Sequence, residues 1–192
     1  MSIQARRVRE RAEREKLIVT AARELAEAEG WDAVTTRRLA EQVEYSQPVL
    51  YSHFAGKDAI MAAVAVEGFT DLAEELRAAR EGVDAQEALA AVGKAYMSFA
   101  DRRPALYDGM FSQAVDLPFA TAEAPAALHA CFDELAEAIR PHVASVDLGP
   151  LTETFWAALH GLATLTRGGR LPREAYDIRL TLLFDRFTRA RG

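Results

Sequence analysis

The most specific pattern in this chain is residues Thr35–Lys57, TTRRLAEQVEYSQPVLYSHFAGK. It reads as a short amphipathic helix, a tight turn at residues 44–46 and a second short helix. Thr35 can cap the first helix, because its hydroxyl can accept a hydrogen bond from an unpaired N–H of the first turn. Leu50 and Phe54, four residues apart, give the second helix one apolar face. This layout predicts a helix-turn-helix, whose second helix enters the major groove of DNA.

The polar side chains around the turn suit contacts with a DNA duplex. Ser46 can cap the second helix, and Pro48 is tolerated in its first turn. Gln47 can pair with adenine, Val49 can touch a thymine methyl group, and hydroxyls and imidazole can reach phosphates. Arginines beside a helix N-terminus also favour phosphate. The predicted DNA-binding surface consists of Arg6, Arg7, Thr35, Thr36, Arg37, Ser46, Gln47, Pro48, Val49, Tyr51, Ser52, His53 and Lys57.

This segment resembles the DNA-binding domain of the TetR family of bacterial transcriptional regulators. The resemblance covers roughly residues 14–65. The residues that carry it are Gly30-Trp31, Thr35, Leu39-Ala40, Ser46, Leu50-Tyr51, His53-Phe54 and Lys57. One position departs from the family pattern, because the family usually has glycine where this chain has Glu44, at a left-handed turn. A non-glycine residue there either carries a modest conformational cost or reshapes the turn.

The distribution of charge gives weaker evidence than the motif. The net charge is −6, and residues 61–192 hold its negative excess, with 13 basic and 19 acidic side chains. Residues 1–60 carry ten of each. Residues 1–16, with six basic and three acidic side chains, form either a solvated helix end or an arm that reaches phosphates or the minor groove. Contact with DNA is therefore indicated by where the arginines lie and not by the overall charge.

Composition and periodicity predict an all-α protein. Half of the residues are hydrophobic, glycine and proline are scattered, and strand-type alternation is absent. The first helix ends at Gly30, and a long helix runs from Asp58 to about Arg80. Further helices are expected at about 84–103, from Pro104, and at about 122–140, 150–167 and 173–190. We predict a three-helix helix-turn-helix DNA-binding domain at 1–57 and a helical ligand-binding and dimerisation domain at 58–192.

Residues 155–172, FWAALHGLATLTRGGRLP, resemble a C-terminal domain type of the same family that is named for its Trp, His and Gly. Here these residues are Trp156, His160 and Gly161, which also suit plain packing against a neighbouring helix. The resemblance implies that the last two helices pair with their copies across a two-fold axis in a homodimer. The expected dimer surface consists of Phe155, Leu159, His160, Leu162, Leu180, Phe184 and Phe187.

Aromatic and methionine side chains recur at helical spacing through the middle of the chain. They are either ordinary core or, as the family resemblance implies, the lining of a site for a small apolar effector. The predicted pocket residues are Phe69, Tyr96, Phe99, Tyr107, Met110, Phe111, Phe132 and Trp156. Effector binding is then expected to shift the helix after Lys57 and to change the spacing of two recognition helices.

Signs of catalysis, of export and of a membrane span are missing from the sequence. It contains no HExxH, GxGxxG, phosphate-loop or GxSxG motif, and its four histidines are dispersed, so we expect neither an enzyme nor a metal or cofactor site. A single cysteine, Cys131, cannot form an intramolecular disulfide. Neither a signal peptide nor an apolar run of about 20 residues is visible, which favours a cytoplasmic protein without membrane contact.

These patterns predict a sequence-specific transcriptional regulator, a ligand-responsive homodimeric repressor that binds a palindromic operator in double-stranded DNA. Two alternatives stay open. The chain could be an all-helical small-molecule-binding protein or enzyme whose helix-turn-helix is only structural, in which case it would lack sequence-specific DNA binding. It could also be an activator, which sequence cannot distinguish from a repressor.

Overall fold

A computed structural model of the protein describes residues 3–111, 117–119, 121–143 and 148–188. Regular structure in these ranges is helical throughout, which confirms the all-α prediction. The α-helices are α1 (Ile3–Glu29), α2 (Thr36–Gln42), α3 (Gln47–His53), α4 (Lys57–Glu81), α5 (Ala88–Arg102), α6 (Pro104–Met110), α7 (Ala126–Ile139), α8 (Leu148–Arg167) and α9 (Tyr176–Thr188). Short 3-10 turns lie at Trp31–Ala33, Arg140–His142 and Arg173–Ala175. Within the described ranges, no helix is long and apolar enough to cross a membrane.

The chain divides into two compact units. The first unit contains the described residues of 1–68 and 103–123, and the second contains those of 69–102 and 124–192. Helix α4 contributes residues to both units, with the division between Gly68 and Phe69. The domain boundary expected at residue 57 coincides with the first residue of α4 and stays a prediction. Helix α6 belongs to the first unit although it follows α5 in the chain.

The core of the first unit forms along one stripe of α1. This stripe begins at Ile18 and ends at Ala26, and Leu50, the buried apolar side chain of α3, belongs to the same core. The predicted cap of α2 is present, because Thr35 Oγ1 accepts a hydrogen bond from the Arg38 backbone N–H at 3.2 Å. Ser46 occupies the N-cap position of α3 without a side-chain capping bond, so that part of the prediction is wrong.

The turn between α2 and α3 keeps its left-handed residue even though that residue is Glu44. Its φ is 56°, in the region that side chains other than glycine adopt at a cost. The Glu44 N–H donates to the Glu41 carbonyl at 3.3 Å, and the Tyr45 N–H donates to the Ala40 carbonyl at 2.9 Å. This pair of bonds is the Schellman arrangement, which satisfies the last carbonyls of α2. The substitution therefore leaves the turn geometry intact and adds strain.

Replacing Glu44 with glycine is expected to raise the free energy of unfolding by up to about 1 kcal/mol, because the relief of left-handed strain exceeds the entropy that glycine adds to the unfolded chain. Urea denaturation measures this difference. Glu41→Gly, inside α2, is the matched control and is expected to destabilise by about 1 kcal/mol. Equal destabilisation by the two substitutions would contradict the strain at residue 44.

Helix α6 is fastened to the end of α1 by polar contacts within the first unit. The Glu27 carboxylate accepts the backbone N–H groups of Ala105 at 3.2 Å and Leu106 at 2.8 Å, in the first turn of α6. Trp31 Nε1 donates to the Ala105 carbonyl at 2.7 Å. Gly109 faces the Trp31 ring so closely that a Cβ there would lie 2.5 Å from Trp31 Cζ2. The corner after α1 is thus a tightly packed joint.

The second unit packs α5, α7, α8 and α9 around large aromatic side chains. Phe155 of α8 is fully buried, and its ring centroid lies 6.3 Å from that of Phe184 and 5.1 Å from that of Phe187. Gly93 of α5 leaves the space that the Phe184 ring occupies, since a Cβ there would lie 2.7 Å from Phe184 Cζ. Close approach of α5 and α9 therefore depends on the missing side chain at residue 93.

A buried carboxylate links α4 to α7 within the second unit. Glu134 accepts hydrogen bonds from Arg77 Nε at 2.9 Å and from Arg80 Nε at 2.7 Å. These bonds to Glu134 raise the pKa of both guanidinium groups above the usual value. Two cationic partners satisfy the carboxylate, as a buried charge requires.

Candidate nucleic-acid interface

Helix α3 presents an apolar side chain and an aromatic side chain to solvent. Val49 is 38% exposed and Tyr51 is 51% exposed, while Leu50 between them is buried. The predicted contact residues Ser46, Gln47, Pro48 and Ser52 are also exposed. A thymine methyl group and the edge of a base are natural partners for such a surface. The Ser52 hydroxyl already donates to the Val49 carbonyl at 2.6 Å.

The start of α2 lies beside this surface. Tyr51 Oη and Thr36 Oγ1 are 3.3 Å apart and share a hydrogen bond. Thr35 and Arg37 are exposed, and Arg37 Nε bonds to Glu41 Oε1 at 3.0 Å on the solvent side of α2. Arg38, by contrast, is held by both oxygens of Glu29, at 2.7 and 2.8 Å. The structure therefore brings Thr35, Thr36 and Tyr51 close to one another.

The basic N-terminal segment is helical from Ile3 onward and continues directly into the core part of α1. Arg6 and Arg7 are both exposed, and Arg6 Nε lies 3.4 Å from Glu10 Oε1 one turn later. Such an exposed pair contributes little to stability. The contact of Arg6 and Arg7 with DNA stays a prediction.

Two predicted contact residues occupy other positions than expected. His53 is only 5% exposed at its side chain, and its Nδ1 lies 3.4 Å from Glu15 Oε1 of α1. The expected outward position of His53 is therefore wrong, since residues 50 and 53 are three apart and share the inward face of α3. Lys57 is half-buried, and its Nζ donates to the Trp31 carbonyl at 2.7 Å.

The residues expected to line one effector pocket divide between the two units. Tyr107, Met110 and Phe111 lie in the first unit, and the other five lie in the second. The Tyr107 and Phe111 rings pack with centroids 4.9 Å apart. In the second unit, Trp156 Nε1 donates to Tyr96 Oη at 3.1 Å. These are contacts of packed cores, and a single pocket lined by all eight residues stays a prediction.

Most of the expected dimer surface is buried inside the chain. Phe155 and Leu159 of α8 and Leu180 and Phe184 of α9 lie in the core of the second unit, so their assignment to an exposed surface is wrong. For Phe184 the reason is the space at Gly93, which lets α9 pack closely on α5. His160, Leu162 and Phe187 are partly exposed.

Another face of α8 and α9 carries the exposed apolar surface. Leu165, Ile178 and Leu182 are exposed, the last of them by 55%. A shallow groove of about 380 Å³ is lined by Ala157, Ala158, Gly161, Leu162, Leu165, Arg179, Leu182 and Leu183. Residues 158, 161, 162 and 165 form a second stripe at helical spacing on α8. That periodicity could have indicated this surface from the sequence.

The cysteine of this chain, Cys131, is buried in α7. Burial raises the pKa of the Cys131 thiol to about 12, with a smaller contribution from Glu134, so the sulfur stays protonated at neutral pH. Among the residues that the structure describes, no group of three or more His, Cys, Asp and Glu side chains could hold a metal ion.

Two family models match the chain. Residues 18–64 match the bacterial regulatory proteins of the tetR family, and residues 89–190, just over half of the chain, match the tetracyclin repressor-like C-terminal domain. The second model is a different one from the Trp-His-Gly type that residues 155–172 resemble.

Individual proteins agree with this assignment. The HTH-type transcriptional regulator YobS of Bacillus subtilis is 33% identical over 94 residues, which are 49% of each chain, so the match spans about half the length of this curated relative. A solved protein of unknown function from Rhodococcus sp. RHA1 is 28% identical, with a TM-score of 0.75 over 91% of this chain and 93% of that one. FadR from Bacillus subtilis, solved in complex with stearoyl-CoA, shares the fold at 15% identity, with a TM-score of 0.65 over 88% and 97%. The chain described here belongs to the TetR family of bacterial regulatory proteins.

Proposed function

We propose that this protein is a homodimeric transcriptional regulator that binds a palindromic DNA operator through α3. The observation that carries the proposal is the exposed surface of Gln47, Val49 and Tyr51 on α3, in a chain of this family. Val49 and Tyr51 are exposed while Leu50 between them is buried, so a partner that covers α3 would contact both side chains. The edges of base pairs in the major groove are such a partner.

Contacts with the phosphate backbone would come from the residues that surround α3. The N-terminus of α2 offers unpaired N–H groups, with the Thr35 and Arg37 side chains beside them. Arg6 and Arg7 would add contacts from the N-terminal part of α1. Because the whole chain carries a net charge of −6, binding depends on these local cations and is expected to weaken steeply with salt.

Site selection from a random DNA library by the purified protein, at a stated moderate salt concentration, tests this function. Enrichment of a two-fold palindrome is the expected result, because two α3 helices related by a two-fold axis read two half-sites about one helical turn apart. A folded protein that enriches no sequence would contradict the proposal and favour a helical ligand-binding protein or an enzyme.

The dimer itself is proposed to form through the groove of α8 and α9. This groove is apolar apart from Arg179, and exposed Leu165 and Leu182 lie along it. A second copy that covers this groove would remove its apolar side chains from water. The small side chains Ala158 and Gly161 would allow the helices of a second copy to approach closely, giving a four-helix contact around a two-fold axis.

Leu182→Glu is expected to weaken dimerisation at least about tenfold, because the substitution places a charge in a surface that the dimer would remove from water. Sedimentation equilibrium measures the dissociation constant. Thr181→Glu, an exposed neighbour on α9 that does not line the groove, is the control and should leave the dimer intact. Equal dissociation constants for both variants and the wild type would place the dimer contact elsewhere.

We further propose that a small, largely apolar effector binds in the second unit and that the protein acts as a repressor. The second unit contains five of the predicted apolar pocket residues, and FadR provides an example of this fold in complex with an acyl-CoA. The finer assignment of residues 155–172 to the Trp-His-Gly type stays a prediction. A dimer on a promoter would exclude polymerase, which favours repression over activation.

A screen for small molecules that release the protein from its selected operator tests the effector proposal. If no compound changes operator affinity, the effector proposal is wrong, and the proposal of DNA binding is unaffected. Reporter transcription from a promoter that carries the selected site distinguishes the two modes of action, since loss of a repressor raises expression and loss of an activator lowers it.

A further inference from the structure

A charged network joins α1 to the C-terminal end of α3. Arg11 Nη2 donates to the Ser52 carbonyl at 3.2 Å, and Arg11 Nε pairs with Glu15 Oε1 at 2.8 Å. The same Glu15 oxygen lies 3.4 Å from His53 Nδ1. One oxygen of Glu15 therefore contacts both Arg11, which bonds to the Ser52 carbonyl, and His53, the last residue of α3. We refer to Arg11, Glu15, Ser52 and His53 as the Glu15 network.

The Glu15 network satisfies groups that α3 leaves unpaired. The last four carbonyls of a helix have no partner within it, and Ser52 provides one of them. A cation at this end is also favoured by the helix dipole. Arg11 supplies both the donor and the charge, and Glu15 holds the Arg11 side chain in place.

Helix α3 needs this support because its hydrophobic anchor is small. The helix has seven residues, Leu50 is its one buried apolar side chain, and the largely buried His53 side chain contacts Glu15. A single apolar anchor fixes where a helix lies but leaves it able to rotate about its own axis. Rotation would move Gln47, Val49 and Tyr51 together, and base contacts tolerate little displacement. The bond between Tyr51 and Thr36 restrains one side of α3, and the Glu15 network restrains the other.

We propose that Arg11 and Glu15 are positioning residues for sequence reading, which fix the rotation of α3 through Ser52 and His53 and make no base contact themselves. This inference rests on the proposed DNA-binding function. It assigns to His53 a role in the interior of the domain, as the partner of Glu15, in place of the phosphate contact expected from sequence.

Whether the removal of Glu15 raises or lowers the affinity for DNA separates this proposal from simple electrostatics. Glu15 is an anion on the domain that approaches a polyanion, so its removal would tighten binding to any DNA if charge alone mattered. If Glu15 positions α3, its removal loosens the base-contacting side chains Gln47, Val49 and Tyr51 and weakens binding to the operator alone. Glu15→Gln keeps the shape of the side chain and removes its charge.

The experiment measures affinity for two probes, the duplex that the wild-type protein selects from a random library and a scrambled duplex of the same composition. Glu15→Gln is expected to lose about tenfold affinity for the selected duplex and none for the scrambled one, with an unchanged salt slope. Glu13→Gln makes the same charge change at an exposed position of α1 and is the control. It is expected to bind both duplexes as well as the wild type or slightly better.

A double-mutant cycle with His53→Asn measures the coupling of the two residues in operator affinity, which does not depend on overall stability. The double variant is expected to lose no more operator affinity than the larger single loss, since both changes break the same contact. Thermal unfolding should show all variants folded at the assay temperature. Tighter binding of both duplexes by Glu15→Gln, or additive losses in the cycle, would overturn the proposal. A wild-type protein that selects no sequence would overturn the proposed function, and this inference with it.

Discussion

Gly109→Ala is expected to destabilise the first unit by about 2–3 kcal/mol, through overpacking at the joint between α1 and α6. A Cβ at residue 109 would lie 2.5 Å from Trp31 Cζ2, 2.9 Å from Cε2 and 3.1 Å from Nε1. All three atoms belong to one rigid indole ring, so no flexible chain end can move aside. The ring is also tethered, because its Nε1 donates to the Ala105 carbonyl, and the Trp31 backbone carbonyl accepts a hydrogen bond from Lys57.

Urea denaturation followed by tryptophan fluorescence measures the effect of this substitution. Gly56→Ala is the matched control in the same unit, where a new Cβ meets nothing within 4 Å. It is expected to cost less than about 1 kcal/mol. If Gly109→Ala were as stable as Gly56→Ala, the Trp31 ring would have to be free to shift, and the joint would be loosely packed.

Tyr51→Ala and Gln47→Ala are each expected to weaken binding to the selected operator by about 10- to 100-fold, as the loss of a base contact does. Both side chains are exposed on α3, so their truncation should change the free energy of unfolding by no more than about 0.5 kcal/mol. Fluorescence anisotropy with a labelled duplex measures the affinity. Tyr51→Phe keeps the ring and removes only the hydroxyl that bonds to Thr36, so a smaller loss is expected.

Gln86→Ala provides the control for these two variants, because Gln86 is an equally exposed glutamine in the second unit. Its operator affinity should equal that of the wild-type protein. Unchanged affinity in both the Gln47 and the Tyr51 variants would mean that α3 is not the recognition helix, whatever the fold.

The helix-turn-helix could be predicted from the sequence because its signals are local. The Thr35 cap, the early Pro48 and the apolar spacing around Leu50 all act within a few residues of their own positions, and all three are present in the structure. The predicted side-chain capping bond of Ser46 is absent. The left-handed residue at 44 could be expected from the family resemblance, and the Schellman bonds of Tyr45 and Glu44 show why the turn requires it.

Two of the misplaced aromatic residues depend on contacts between distant segments, and His53 does not. The inward position of His53 follows from its spacing of three from the buried Leu50, and only its partner Glu15, 38 residues earlier in the chain, could not be read from local periodicity. Phe155 and Phe184 are buried because Gly93, far from both in sequence, opens space in α5. Helix α6 joins the first unit through Trp31, more than 70 residues earlier, and the linear order of helices gives no sign of it.

Parallel library selections with the wild-type protein and with Gln47→Ala test whether α3 reads DNA sequence. The wild-type protein is predicted to enrich a palindrome, and the variant is predicted to enrich the same palindrome with preference lost at one symmetric pair of positions. Identical preferences for the two proteins would contradict the claim for Gln47, and no enrichment by either protein would contradict it for the whole helix.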